Sequence, residues 1–233
     1  MRVLEGLRSA IAFLVPTAAL LLLPAGLLPH GTWVWPQGLL FLAVLAVITA
    51  GARVTLAAFR PANFEVRQQA FVVDKAKSQP LIDALGLVAY VAFLIAWLLF
   101  IPIDVFALRL LPPPPGWVAG LGLAAAFAGL VIAHLAIWQN QFAAPTIHEQ
   151  AGQRVIDSGV YGLIRHPLYA GNLLLFAGGA LWLGSTAACI ATLAQLVATL
   201  ARIRIEEAHL RTRLPDYADY ARRVRGRLIP FVL

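Results

Sequence analysis

Long apolar runs alternate with short polar segments along most of the chain. A membrane helix needs roughly 20 apolar residues to cross about 30 Å of hydrocarbon. Runs of about this length predict six membrane helices, at about 9–28, 34–58, 81–108, 117–140, 167–183 and 186–205. Only a short Gly-Ser turn separates the last two runs, so they predict a helical hairpin. The pattern therefore predicts an all-α, polytopic membrane protein.

The same pattern indicates a single integral membrane domain over residues 1–233. Residues 1–140 would supply four N-terminal helices, and residues 141–233 a loop, the helical hairpin and a polar tail. The first apolar run lacks a small-residue cleavage site after it, so we expect a retained membrane helix rather than a signal peptide. The segment 60–80 mixes charged and aromatic residues, which predicts an amphipathic stretch at the membrane interface.

The composition agrees with this class. Hydrophobic residues make up 61% of the chain and charged residues 12%, and the mean hydropathy is +0.80. Soluble domains are about half apolar and a quarter charged, so they are excluded. A single cysteine, Cys189, excludes an intramolecular disulfide and a zinc site built from cysteines.

The distribution of positive charge predicts the orientation. Lys and Arg total 18, and with six spans only Arg109 falls on the side opposite the termini, which leaves 18 − 1 = 17 on the other. The positive-inside rule then makes both termini cytoplasmic, and we expect a bacterial inner membrane. The formal charge of +7 is explained by contact with membrane lipids, and no nucleic-acid partner is expected.

Several common kinds of catalytic site are not supported. Glu206-x-x-His209 has the spacing of half a di-iron site, but no second copy exists, so we expect no metal. The Gly-x-Ser-x-Gly motif of serine hydrolases is absent. A phosphate-binding Gly-x-x-x-x-Gly-Lys loop is also absent.

The strongest candidate for a site lies at the open end of the predicted hairpin. Arg165 and His166 precede Pro167, which is a natural first residue of a helix. Glu206 and Glu207 end the second apolar run. Arg165 and Glu206 are about equally far from the turn, so we predict that they are partners at the cytoplasmic face.

A purely structural reading of these residues is equally simple. Arg165 and His166 could anchor a helix end at the lipid headgroups, and Glu207 with Arg211 could form an ordinary i, i+4 pair. Residue types alone favour the two readings about equally. The cost of acidic residues at the end of a membrane helix shifts the balance slightly towards a functional site.

The C-terminal part of the chain resembles a known family. The motifs are Gln153-Arg154-Val155-Ile156-Asp157-Ser158-Gly159-Val160-Tyr161, Arg165-His166-Pro167-Leu168-Tyr169-Ala170-Gly171, Glu206-Glu207-x-x-Leu210, Tyr217-x-x-Tyr220 and Leu228-Ile229-Pro230-Phe231. Their order and spacing resemble the isoprenylcysteine carboxyl methyltransferase family, whose wider relatives are phospholipid methyltransferases. The resemblance implies a membrane enzyme that binds S-adenosylmethionine at the cytoplasmic end of its last helices.

The resemblance also implies which residues contact the cofactor. These are Gln153, Val155, Gly159, Tyr161, Arg165, His166, Pro167, Tyr169, Glu206 and Glu207, of which Arg165 and Glu206 are the catalytic candidates. Gln153 departs from the pattern, because eukaryotic members carry a histidine there; a glutamine still donates and accepts hydrogen bonds. The departure puts a prenylcysteine substrate in question.

The chemistry of these residues suits the implied cofactor. Arg165 and the following helix N-terminus would hold its carboxylate. Glu206 or Glu207 would hold its ammonium or ribose hydroxyls and favour the cationic sulfur. The acceptor would be a lipid or lipophilic small molecule that enters from the bilayer, and no obligate protein partner is expected.

Two other functions stay open at this stage. Membrane sterol and steroid reductases that use NADPH also carry Arg-His-Pro near the C-terminus. Their pattern usually continues with Asn-Tyr and with a glutamate after the glycine, whereas here Asn172 follows Gly171. A transporter or assembly factor would need more polar residues at mid-membrane than these runs offer.

Overall fold

A computed structural model describes residues 1–69, 81–142, 152–230 and 232 of the chain. These residues form eight α-helices, and no strand occurs among them. The helices are α1 Arg2–Leu27, α2 Pro36–Phe59, α3 Pro61–Gln69, α4 Leu81–Ile103, α5 Gly116–Gln139, α6 Pro167–Leu183, α7 Thr186–Arg213 and α8 Tyr217–Arg223. The predicted all-α membrane fold is confirmed.

Five of these helices are long and apolar enough to cross a membrane. They are α1, α2, α4 with its π-helical extension, α5 and α7. The remaining apolar helix, α6, has 17 residues, about 25 Å at 1.5 Å per residue. The sixth span, and with it the orientation of the termini, stays a prediction.

The helices depart from the predicted runs mainly at their polar ends. The helix α7 continues past residue 205 to Arg213, so both glutamates lie inside it. Within 60–80, residues 61–69 form α3, and residues 70–80 lie outside the described part. Asn63 of α3 donates hydrogen bonds to the carbonyls of Ile137 and Trp138, at 3.1 and 3.3 Å. These bonds attach α3 to the end of α5, where two carbonyls lack helical donors.

The predicted hairpin of α6 and α7 is present, with a well-defined turn. Gly184 ends α6 with a φ of +95°, which favours glycine. Ser185 then caps α7, because its hydroxyl accepts a hydrogen bond from the Ala188 N–H at 3.0 Å. Ser185 also donates to Asp104 Oδ2 at 2.6 Å, and Asp104 Oδ1 accepts from the Leu110 N–H at 3.0 Å. Asp104 therefore fastens the end of α4 to the hairpin turn.

The most extensive contact of α6 is with α5 rather than with α7. Gly122 of α5 faces Gly178 of α6, and Gly129 faces Gly171, so the two helices run antiparallel with their backbones in contact. A Cβ added at Gly129 would lie 2.4 Å from the Gly171 carbonyl oxygen, far inside van der Waals contact. Small residues at such a crossing permit the close approach on which helix packing in membranes depends.

Candidate functional site

An open cleft lies at the end of α6 and α7 opposite their turn. It encloses about 940 Å³ of empty volume, part of which is open to solvent. Its walls come from the N-terminus of α6, the last turns of α7, the segment 153–161, the end of α5 and the tail after α7. The described residues supply both polar and apolar walls, as small-molecule sites do.

Arg165 is held rigidly at one wall of this cleft. It is buried, and its Nε donates to Glu207 Oε1 at 2.8 Å. Its Nη1 donates to the carbonyls of Val224 and Arg225, at 2.6 and 2.9 Å. Among the described residues nothing accepts a hydrogen bond from Nη2, so the guanidinium keeps donor capacity for a ligand.

Glu207 lies behind this wall and does not line the cleft. Its Oε1 accepts from Arg165 and also from His166 Nε2, at 3.2 Å. Its Oε2 accepts from Nε and Nη2 of Arg227, both at 3.3 Å. Because a carboxylate only accepts, the Nε2 of His166 carries the proton in this contact.

Glu206 points into the cleft and makes a different set of contacts. Its Oε2 accepts a hydrogen bond from the Tyr169 hydroxyl at 2.8 Å. The same hydroxyl accepts from Arg202 Nε, also at 2.8 Å. Among the described residues that line the cleft, Glu206 is the acidic one.

The prediction that Arg165 pairs with Glu206 is therefore wrong, because the partner of Arg165 is Glu207. Both residues lie at the cleft, as expected from their equal distance to the turn. Glu207, however, is the residue that binds Arg165, while Glu206 binds Tyr169. Consecutive helical residues differ by only 1.5 Å in depth but by about 100° in direction, and counting along the chain fixes only the depth.

The segment 153–162 is shaped by one glycine. Gly159 has a φ of +59°, and a Cβ there would lie 2.4 Å from Gln139 Oε1. Gln139 Oε1 accepts from the Val160 N–H at 2.9 Å, so α5 fixes the start of the 3₁₀ turn Gly159–Gly162. This turn places Tyr161 in the cleft wall, whereas Gly159 itself does not line the cleft.

The tail after α7 contributes a further part of the wall. Tyr217 and Tyr220 are buried there, with their ring centroids 5.8 Å apart. The Tyr220 hydroxyl donates to the Tyr161 carbonyl at 2.8 Å. Burial raises the pKa of Tyr217 and Tyr220 well above the ordinary value, so both phenols stay protonated at neutral pH. The Tyr217 hydroxyl is buried and has no hydrogen-bond partner among the described residues.

Most of the residues expected from the sequence meet at this cleft. Those that line it are Gln153, Val155, Tyr161, Arg165, His166, Pro167, Tyr169 and Glu206. Sequence reasoning did not assign to the site the other lining residues, which are Asn140, Phe142, Arg154, Ile156, Leu168, Arg202, His209, Leu210, Leu214, Tyr217 and Tyr220. Arg202 and His209 share a face of α7 with Glu206, at spacings of four and three residues, and that periodicity could have found them.

Comparison with known proteins bears on the activity. Residues 117–216 match the family model for phospholipid methyltransferases. The expected family resemblance is confirmed. The matched range holds most of the cleft, including Arg165 and Glu206, but less than half of the chain.

A solved structure has the same fold. It is that of the eukaryotic intramembrane Ras methyltransferase ICMT (isoprenylcysteine carboxyl methyltransferase), with a TM-score of 0.55 and 24% sequence identity. The match covers 96% of this chain and 75% of that chain. A comparison with curated protein sequences gave no match. The family match and the shared fold together indicate a membrane methyltransferase.

Proposed function

We propose that the protein is an S-adenosylmethionine-dependent methyltransferase that acts on a lipophilic acceptor. One observation carries the proposal: a single cleft combines a rigidly held arginine, one acidic side chain and an apolar wall at the end of membrane-spanning helices. The motifs that hold the expected site residues supported this function through their resemblance to a family. The geometry supports it as well, because eight of the ten expected residues line that cleft.

The polar wall fits the amino-acid part of the cofactor. The Nη2 group of Arg165 and the first N–H groups of α6, at Leu168 and Tyr169, suit a carboxylate. Glu206 would hold the ammonium and favour the positive sulfur. The Tyr217 hydroxyl would gain a partner from a polar ligand group, since an unpaired buried hydroxyl is costly.

The apolar wall fits the nucleoside part. Val155, Ile156, Leu210 and Leu214 line the cleft beside the two buried tyrosines. These side chains would cover the adenine, and Gln153 would hydrogen-bond to its polar edge.

Bound S-adenosylmethionine supplies an electrophilic methyl group on a cationic sulfur. The residues of this chain then have to hold cofactor and acceptor in line and to exclude water. Arg165 would hold the carboxylate and Glu206 the ammonium, the two charged groups of the cofactor's amino-acid part. The acceptor would come from the bilayer, and both a lipid headgroup and a carboxyl group on a lipidated molecule fit this entry.

The proposal includes the orientation of the chain. With six spans, the cleft and both termini lie on the side that carries 17 of the 18 basic residues, which we assign to the cytoplasm of a bacterial inner membrane. Reporter fusions after residue 30, after residue 70 and at the C-terminus test this topology. A C-terminus outside the cytoplasm would overturn it.

Calorimetric titration of the purified protein with S-adenosylhomocysteine and with NADPH tests the cofactor. We expect binding of S-adenosylhomocysteine and none of NADPH. Binding of NADPH without any response to S-adenosylhomocysteine would instead support the reductase alternative. Incubation with labelled S-adenosylmethionine and extracted membrane lipids, followed by mass spectrometry, would then identify the acceptor from the mass shift of one methyl group.

A further inference from the structure

The position of Glu207 does not suit direct contact with a cofactor. Its neighbour Glu206 lines the cleft, but Glu207 is 3% exposed and faces the interior behind Arg165. A carboxylate so buried is costly unless partners compensate for the lost water. We therefore infer the role of Glu207 from the residues that it binds.

These partners come from two parts of the chain. Arg165 and His166 stand immediately before α6, and they share Oε1. Arg227 belongs to the segment after α8 and binds Oε2 through two nitrogens. Glu207 thus joins the start of α6 to residues 224–227.

A second set of bonds joins the same two parts. The backbone N–H of Arg165 donates to the Gly226 carbonyl at 2.9 Å, and that of His166 donates to the Arg227 carbonyl at 3.0 Å. The Nη1 group of Arg165 adds bonds to two further carbonyls of this segment. Tyr217 and Tyr220, which line the cleft, lie between α7 and this anchored segment.

We propose that Glu207 is a positioning residue, which aims Arg165 into the cleft and anchors residues 224–227 so that Tyr217 and Tyr220 of the tail line the cleft. It does so without touching the cofactor. The identity of the ligand rests on the proposed function, whereas the anchoring does not.

The test compares three variants with a matched control. Glu207→Gln and Arg227→Gln each remove one side of the contact, and the double variant removes both. Arg222→Gln is the control, because this substitution removes an equal charge from the tail. Among the described residues, Arg222 pairs only with the nearby Asp219 on the surface of α8. Each variant is titrated with S-adenosylhomocysteine and with methylthioadenosine, which lacks the amino-acid carboxylate.

We expect Glu207→Gln to weaken S-adenosylhomocysteine binding by about tenfold to a hundredfold, the range for a lost charged hydrogen bond. Methylthioadenosine should lose less than about threefold, because Arg165 acts on the carboxylate that it lacks. Arg227→Gln should have a smaller effect, and it should add little in the double variant, since it acts through Glu207. The control should bind as the wild type does.

Hydrogen exchange supplies a readout without any ligand. The backbone amides of Arg165 and His166 should exchange faster in Glu207→Gln and Arg227→Gln but not in Arg222→Gln. If Glu207→Gln fails to fold, Arg227→Gln decides, because the Arg227 side chain is 38% exposed and its substitution should leave the fold intact.

Unchanged exchange in both variants would overturn the anchoring. If the affinities for S-adenosylhomocysteine and methylthioadenosine fell equally, the proposed positioning of Arg165 would be wrong. Such a result would indicate a general loosening of the fold, which affects both ligands alike. Additive losses in the double variant would show that Arg227 does not act through Glu207 and would overturn the shared contact. Absence of any binding by the wild type would overturn the proposed function instead, while the exchange data still judge the anchoring.

Discussion

Two buried carboxylates stand at opposite ends of the α6–α7 hairpin, and they are satisfied in different ways. Asp104, 2% exposed, accepts from the Ser185 hydroxyl and a backbone N–H, both neutral donors. Glu207, 3% exposed, accepts from two arginines and a histidine. Burial alone thus does not distinguish a carboxylate that only joins two segments, such as Asp104, from one beside a candidate ligand site, such as Glu207.

The difference lies in what the partners do next. Ser185 and the Leu110 N–H only connect segments of backbone at the turn. Arg165 and His166 instead line a cleft, and both bind the carboxylate behind them. Charged partners that keep spare donors distinguish the cleft end, which we propose to be the functional one, from the turn.

Removal of the Arg165 side chain should have the largest effect at the cleft end. Arg165→Ala leaves Glu207 with a smaller set of partners and releases three carbonyls of the tail. Breaking a buried ion pair costs about 3–5 kcal/mol of stability, and cofactor binding should be lost as well. Thermal unfolding in detergent measures the first effect and titration the second.

Arg204→Ala is the control, because Arg204 is an exposed arginine on α7. It should change neither quantity. If Arg165→Ala had the melting temperature and the affinity of the wild type, Arg165 would contribute neither to stability nor to cofactor binding, and the proposed difference between the two ends would be wrong.

Glu206→Gln should change affinity without changing the fold. It keeps the shape that accepts the Tyr169 hydroxyl and removes the charge. We expect S-adenosylhomocysteine binding to weaken by about 1.5–3 kcal/mol, the contribution of a hydrogen bond to a charged group. Equal melting temperatures establish that the variant is folded. An unchanged dissociation constant would place the ligand's positive end elsewhere.

Two glycines of α6 allow the two ends to be compared within one helix. A Cβ at Gly171 would lie 2.5 Å from the Gly129 carbonyl oxygen, and one at Gly178 would lie 2.4 Å from that of Gly122. Alanine gains about 1 kcal/mol in helix propensity, but the overpacking should leave each variant about 1–2 kcal/mol less stable. Only Gly171→Ala, which lies near Arg165, should also weaken cofactor binding. Equal affinities would mean that the cleft tolerates a shift of α6.

Asp104→Asn should have the smallest effect. Its amide group still accepts one of the two hydrogen bonds, so we expect a loss of about 1 kcal/mol in the free energy of unfolding. Cofactor affinity should stay unchanged, because the cleft is at the other end of the hairpin. A loss of affinity here would mean that the two ends are coupled through α6 and α7.

Much of the fold follows from the apolar pattern. The sequence predicts 167–183 for α6 and 117–140 for α5, and the structure has Pro167–Leu183 and Gly116–Gln139. Proline at the first position and glycine after the last fix the bounds of α6 locally. The close packing of α5 on α6 was missed, although glycines seven residues apart in both helices carry that signal.

The site was predictable in its membership and less so in its pairings. Motifs brought Arg165, Glu206 and Glu207 together, but the facing directions of the glutamates depend on how α7 is rotated in the bundle. The role of the tail had no local signal, because residues 224–227 bind Arg165 and His166 mainly through backbone carbonyls. Any sequence presents such carbonyls, so only the three-dimensional arrangement reveals their use.

The backbone contact between α5 and α6 limits how the cleft can exchange its contents. Side chains change rotamers to let neighbours slide, but glycine carbonyls packed on a neighbouring helix have no such freedom. We therefore expect α5 and α6, including the N-terminus of α6, to move together as one rigid unit. A ligand that enters or leaves the cleft would therefore have to do so without any separation of α5 from α6.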